Sequence, residues 1–344
     1  MEQAALPGGW TTLPGTDEYV IGVEIGGRGQ RVALADGGGR VLGQAQSIDA
    51  GASATNVVET VRALVGQVCG AAQIPPSRVA RAGVAFGGPV DSARGLTLLS
   101  HRAAGFEDFP LVNLIEDAIG VPIVLENDAR AAALGETIYG AGRGSQDVVY
   151  VHLGTGVGSG IIADGRLVHG TGGTAGEMGH MVVSVGGPIC SCGKPGHLEA
   201  YASAPAIVSR MRERLAAGDA EDRRHLTDAT SLTVRTIFER AHAGDGAAAE
   251  VVTETVQVLG MAIANLITVL NPATVIVGGS VAEVGPLLMD ALGAHVRRYA
   301  YPAAARRVRL SLAQFRGDSA LLGAVALALT EPQTPERAAR LGPR

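Results

Sequence analysis

Apolar residues fall in short runs broken by glycine, and their spacing changes along the chain. Residues 19–25 (Y-V-I-G-V-E-I), 30–35 and 40–47 read as three strands, turned at Gly26-Gly27 and at residues 36–39. Residues 54–72 switch to helical spacing, with Val57, Val58, Val61, Leu64, Val65 and Val68 on one face. A buried strand follows at 79–86, a short helix at 111–119, a strand at 122–125 and a helix at 129–139. Strands are expected at 147–153 and 161–163, and helices at 206–215, 231–241 and 247–270, the last stopped by Asn271-Pro272. Strand 274–277, helix 281–292, strand 308–312 and helix 319–329 complete the pattern. Residues 1–18 and 330–344 carry no period and read as flexible tails.

Length adds a domain count: 344 residues suggest roughly two domains. A hydrophobic share of 47% against 18% charged residues requires a large core, and with only 3% aromatics that core is built from Ala, Val, Leu and Gly. A net charge of −5 argues against non-specific nucleic-acid binding. Three cysteines, two of them close together, make no disulfide framework, and the expected setting is a reducing cytoplasm. The first residues lack the basic start and apolar run of a signal peptide. The most apolar helical stretch, 256–270, reads as a buried helix, since a membrane span needs about 20 residues.

Chemistry concentrates in residues 176–199, G-E-M-G-H-M-V-V-S-V-G-G-P-I-C-S-C-G-K-P-G-H-L-E. Cys190 and Cys192 reach a common point only if the backbone turns tightly, and Gly193, Pro195 and Gly196 supply such turns. With His180 and His197 they form a closed tetrahedral donor set for a structural zinc ion. Glu177 and Glu199 are then expected to be free to face a ligand. Elsewhere, strand 122–125 runs into Glu126-Asn127-Asp128, where a carboxylate between strand and helix suits a general base or, equally, a helix cap. Gly154-Thr155-Gly156-Val157-Gly158-Ser159-Gly160 lets the backbone approach a bulky anion. It repeats the strand–turn–strand pattern of residues 19–35 about 130 residues later. Gly278-Gly279 precedes a helix start.

G-E-M-G-H followed by C-S-C-G-K-P-G-H-L-E resembles the signature of the ROK family (repressors, open reading frames and sugar kinases). The likeness spans about residues 19–329. It implies an α/β, two-domain actin-like ATPase (ribonuclease H-like) fold with a cleft between a smaller N-terminal and a larger C-terminal domain. On that reading residues 19–125 form the small domain, completed by helix 319–329. Residues 126–318 form the large domain, with zinc loop 180–197. The resemblance implies Asp128 as catalytic base and Asn127 as a sugar ligand, with Gly88 of G-G-P-V-D lining the cleft. It implies sugar contacts from Glu177, His180 and Glu199, with His180 also on zinc. ATP would be bound by the loops of Glu24, Gly26, Gly27 and Arg28, of Gly154, Thr155 and Gly156, and of Gly278 and Gly279. Glu24 would hold hydrated Mg²⁺.

The chain departs from the family pattern at four places. His197 stands where a third cysteine is usual. Glu24 and Arg28 replace the Asp and Thr of the first phosphate loop, D-x-G-G-T. No Asn occurs in residues 57–112, so Ser100 or His101 stands near the place of a usual sugar-binding Asn. Eighteen residues before the first strand cannot hold the helix-turn-helix module of the family's regulators. The expected function is ATP-dependent phosphorylation of a free hexose or amino-hexose at the 6-hydroxyl. The partners would be a sugar and a nucleotide, with no nucleic acid and no membrane, and the protein a homodimer. The alternative is a sugar-binding member that has lost phosphoryl transfer, with Arg28 obstructing the nucleotide.

Overall fold

The computed structural model describes residues 18–49, 53–100, 104–217 and 232–330. The expected tails therefore lie almost wholly outside the described residues, as does His101. The described chain forms two compact units. The first takes residues up to Tyr150, then Gly160–Gly176 and the chain from Asp318; the second takes Val151–Ser159 and Glu177–Gly317. The expected division after residue 125 differs from this partition, because the helix that follows residue 127 packs within the first unit.

The first unit is built on a five-stranded sheet of order β3-β2-β1-β4-β7. Its strands are β1 (Tyr19–Gly26), β2 (Gly29–Asp36), β3 (Val41–Ser47), β4 (Val79–Phe86) and β7 (Ile123–Asn127). Here β5 (Val90–Asp91) and β6 (Leu96–Thr97) form a small separate hairpin. β1, β2 and β3 are antiparallel neighbours, while β1, β4 and β7 run parallel. α1 (Ala54–Ala72) and α2 (Leu111–Ile119) contribute to a core on one face of this sheet. The valines of α1 picked out by their spacing are all buried in it. Ser53 caps the helix start and Gln73, in the left-handed region, ends it.

A second core contains Val20, Ala33 and Ala35 with Leu321, Val325, Ala328 and Leu329 of α10 (Ser319–Leu329). Both faces of β1 are thus covered, which explains its unbroken apolar run. α3 (Asp128–Ile138) packs on α10 through small residues. A Cβ on Gly323 would clash with the Ala131 carbonyl, so only glycine permits the approach.

A second sheet has the order β10-β9-β8-β11-β12, from β8 (Val148–Leu153), β9 (Val157–Ala163), β10 (Arg166–Leu167), β11 (Thr274–Gly278) and β12 (Arg309–Leu312). The helices of the second unit are α4 (Glu199–Ala202), α5 (Ala204–Ala217), α6 (Val234–His242), α7 (Gly246–Leu270), α8 (Pro286–Tyr299) and α9 (Pro302–Ala305). The expected helix 281–292 is two pieces: a 3₁₀ turn, Ser280–Val284, then α8 after Gly285 at φ 64°. α7 has 25 residues, beginning one residue before the expected helix 247–270, and is long enough to span a membrane by length and composition. Its Val251, Val256, Leu259, Ile263 and Ile267 are buried within the unit, which gives its apolar face a protein partner.

Candidate functional site

In the first unit three parallel strands end side by side. Ile25 of β1 is level with Phe86 of β4, and Phe86 with Asn127 of β7. Gly26-Gly27, Gly87-Gly88 and Asn127-Asp128 therefore share the carboxyl edge of the sheet, where open α/β sheets hold ligands. Strand β7 continues through Asn127, two residues beyond its expected end, and Asp128 opens α3. Asn127 is the cap: its Oδ1 accepts from Ala129 N at 3.0 Å and Arg130 N at 3.2 Å. Its Nδ2 donates to Gly88 O at 3.1 Å and Asp128 Oδ1 at 3.2 Å. Two lone pairs and two N–H groups are thus all used, and Asn127 has no capacity left for a sugar hydroxyl while these bonds hold. The bond to Oδ1 tethers Asp128.

Asp128 Oδ1 also accepts from Ala129 N at 2.8 Å, and among the described residues its Oδ2 takes no hydrogen bond. One oxygen is fixed and the other is available for a proton. The charge of Asp128 is felt by Tyr150, whose phenol is pushed well up from its ordinary value, first by complete burial. The Ser319 hydrogen bond lowers it, and the charges of Glu136, Asp128 and Glu24 raise it further.

Glu24 is not a free carboxylate. Arg31 Nη1 donates to its Oε2 at 2.9 Å and Arg28 Nη2 reaches its Oε1 at 3.4 Å. Arg31 also pairs with Asp318 at the start of α10. Two guanidiniums compensate the charge that a hydrated divalent cation would need, so Glu24 as arranged does not fit the expected magnesium role. Arg31 escaped the sequence reading. Its signal was a buried arginine inside the otherwise apolar Q-R-V-A-L-A strand. Arg130 and His169 were missed too, and Glu126, read only as part of Glu126-Asn127-Asp128, was given no role, although Glu126 and Arg130 stand four residues apart.

In the second unit the strand-end loops are glycine-rich. Gly279, at φ +87°, lies so close to Leu153 that a Cβ would meet its carbonyl, which brings the Gly278-Gly279 turn against the end of β8. Gly154 N bonds Gly156 O at 2.9 Å, and Ala204 N bonds Gly154 O at 2.8 Å. Glu199, expected as a sugar ligand, already has protein partners. Its Oε2 accepts from Val157 N at 3.0 Å and its Oε1 from Ser191 Oγ at 2.5 Å. It ties the 154–160 loop to the cysteine loop. Glu177 stands just before a 3₁₀ turn, Met178–His180.

The cysteine loop folds on itself by single bridges, Val182 with His197 and Ile189 with Pro195. A turn from Cys190 O to Gly193 N at 2.8 Å closes it. The candidate ligand atoms of His180, Cys190, Cys192 and His197 all lie within 4.8 Å of one another. Cys190 Sγ is 3.6 Å from His180 Nδ1, and Cys192 Sγ is 3.2 Å from His197 Nδ1. A tetrahedral zinc site has sulfur–nitrogen edges of about 3.6 Å, so the donor set fits. Burial is the main cause pushing the Cys190 thiol up, and a bound cation would displace that proton.

Residues 20–331 match the ROK family model, and the chain belongs to that family. It is 33% identical over 323 residues to a glucokinase of Halalkalibacterium halodurans, covering 90% of this chain and 94% of the relative. It is also 33% identical to an N-acetylmannosamine kinase of Shigella flexneri, covering 91% and 99%. Xylose repressors match at lower identity. The crystal structure of a ROK glucokinase from Streptomyces griseus, in complex with glucose and AMPPNP, aligns with TM-score 0.77 at 32% identity, over 90% of this chain and 99% of that one. The fold is accordingly the two-domain actin-like ATPase fold.

Proposed function

We propose that this sugar kinase transfers the terminal phosphoryl group of ATP to the 6-hydroxyl of a free hexose or amino-hexose, with Asp128 as general base. Kinship with glucokinases and N-acetylmannosamine kinases supports the sugar class. The carrying observation is the asymmetry of Asp128: Oδ1 is held by two donors, and Oδ2 has none among the described residues. Oδ2 takes the hydroxyl proton as the oxygen attacks phosphorus in line, and positioning supplies much of the rate. The backbones of Gly26-Gly27, Gly154–Gly156 and Gly278-Gly279 offer N–H groups to phosphates, and Arg28 a guanidinium. Gly88, just past the end of β4, lines the sugar site on this reading.

His180, Cys190, Cys192 and His197 hold a zinc ion whose contribution is to staple the loop. With His180 Nδ1 turned to the cluster, its Nε2 serves the sugar together with Glu177. Glu199 adds the lone pair that its contacts with Val157 N, Ser191 Oγ and Cys190 Sγ leave. The reading is completed by a cytoplasmic homodimer, for which light scattering would return about twice the 34.9 kDa chain mass.

The test is ADP release with ATP, Mg²⁺ and a panel of glucose, mannose, fructose, N-acetylglucosamine and N-acetylmannosamine, beside Asp128→Ala. Sugar-dependent turnover that disappears in the variant is expected. Undiminished turnover in Asp128→Ala removes the base assignment. A second reading, sugar binding without phosphoryl transfer, is favoured by one observation: Arg28 turns back onto Glu24 beside Gly26-Gly27. Calorimetric sugar binding with no turnover on any sugar would select it.

A further inference from the structure

Directly before Asn127-Asp128 lies a charge cluster that the proposed chemistry does not use. Glu126 is fully buried and Arg130 is 1% exposed. Glu126 Oε1 accepts from Arg130 Nε at 2.7 Å, from Asn127 N at 2.9 Å and from Ser92 Oγ at 3.4 Å. Its Oε2 meets His169 Nε2 at 2.8 Å. Arg130 Nη1 donates to Gly173 O at 2.6 Å and Ala175 O at 3.2 Å. Its Nη2 is buried without a partner among the described residues.

A buried ion pair of this kind is weak evidence for stability. Desolvation of both ions offsets most of their attraction, and apolar residues of similar volume commonly stabilise as well. Geometry indicates another use. Glu126 and Arg130 bracket the turn from β7 into α3, and Asn127 and Asp128 lie between them. The Glu126 carboxylate fixes the Asn127 backbone from inside. Arg130 fixes the first turn of α3 and fastens it to the carbonyls of residues 173 and 175. Both rotations that would swing Asp128 Oδ2 away, of the strand end and of the helix start, are thereby blocked.

We propose that Glu126, Arg130 and His169 are positioning residues that hold Asp128 Oδ2 where it takes the substrate proton. His169 orients the Glu126 carboxylate from its second oxygen, leaving the first for Arg130 and Asn127. A misplacement near 1 Å at a reacting atom costs about 10²-fold in rate, so a small rotation of this turn is enough to matter. The inference rests on Asp128 being the base.

Four variants test it: His169→Ala, His169→Gln, Glu126→Leu/Arg130→Met and Asp128→Asn. Gln places an amide nitrogen near the position of His Nε2. The paired apolar variant removes both charges together, so neither is left buried alone. Expected is a kcat lowered about tenfold in His169→Ala and about 10²-fold in the paired variant, with sugar KM within about twofold. His169→Gln should recover to within about threefold of wild type, and all melting temperatures should stay within about 4 °C. Wild-type kcat in a folded paired variant overturns the proposal, as does His169→Gln no better than His169→Ala.

Crystal structures of the same variants decide the matter independently of turnover. Asp128 Oδ2 displaced in the paired variant and restored in His169→Gln supports positioning; Oδ2 unmoved overturns it. Full activity in Asp128→Asn, or no turnover by wild type, instead removes the function on which the inference rests, and the crystallographic arm still reads the geometry.

Discussion

The two units prepare their chemistry by different means. In the first, the reactive carboxylate sits at the end of a parallel strand, and sheet register alone aligns Ile25, Phe86 and Asn127. Side-chain hydrogen bonds then saturate Asn127 and leave one oxygen of Asp128 exposed to use. In the second unit, residues 176–198 contain no strand and only a single 3₁₀ turn. Their shape rests on isolated bridges, on Glu199 and on the Cys/His cluster. A sheet edge needs no metal to be rigid, because every neighbouring strand constrains it. A loop with few backbone partners carries a larger ordering entropy, which a metal cross-link offsets.

That contrast is broken or sharpened by substitutions acting on one unit only. The largest effect is expected from Asp128→Asn, which should lower kcat by about 10²–10⁴-fold in steady-state assays while leaving the melting curve in place. The complementary substitution, Cys190→Ser with Cys192→Ser, should abolish zinc retention by elemental analysis. It should also lower the melting temperature, as chelation of the wild type should. An unchanged melting curve after complete chelation would show that the loop needs no metal. Next, Gly323→Ala drives a methyl group into the Ala131 carbonyl and should cost about 1–3 kcal/mol by denaturant titration, with kcat falling as α3 shifts.

A smaller change is expected from Arg28→Thr, which should raise KM for ATP about fivefold if the guanidinium grips phosphate. A lowered KM would identify Arg28 as an obstruction. The smallest concerns the cap of α7, where Asp245 accepts from Ala248 N at 2.9 Å and pairs with Arg240. Burial alone would raise its pKa, but these bonds and the Arg240 charge hold it below the ordinary value. Its stabilisation is therefore present above the unfolded-state pKa and lost as pH falls through the depressed folded value. Asp245→Ala should cost about 1 kcal/mol at neutral pH, and the difference from wild type should vanish in acid.

Much of the fold was legible because its signals are local. The valine spacing of α1, the glycine turn after β1 and the Asn271 stop of α7 each depend on neighbours along the chain, and each stands where its pattern put it. The cysteine loop was legible for the same reason: its ligands fall within 18 residues and tight turns bring them together. The break at Gly285 was overlooked because apolar spacing continues across it, although Gly285-Pro286 carries a local signal: a positive φ at the glycine and a proline with no N–H to continue the helix.

What the sequence by itself determined is the family, the alternation of strands and helices, the identity of Asp128 as a carboxylate between strand and helix, and a donor set suited to zinc. What only the tertiary structure decided is which polar groups already have protein partners. Asn127, Glu24 and Glu199 each read as open ligands, yet each is engaged by residues whose contacts no spacing rule supplies: Gly88, Arg31 and Val157. Arg31 joins Asp318, and Glu126 joins His169, across long stretches of chain. Hydrogen-bond capacity is finite and is allotted by proximity in space, so the availability of a side chain is a property of the folded chain.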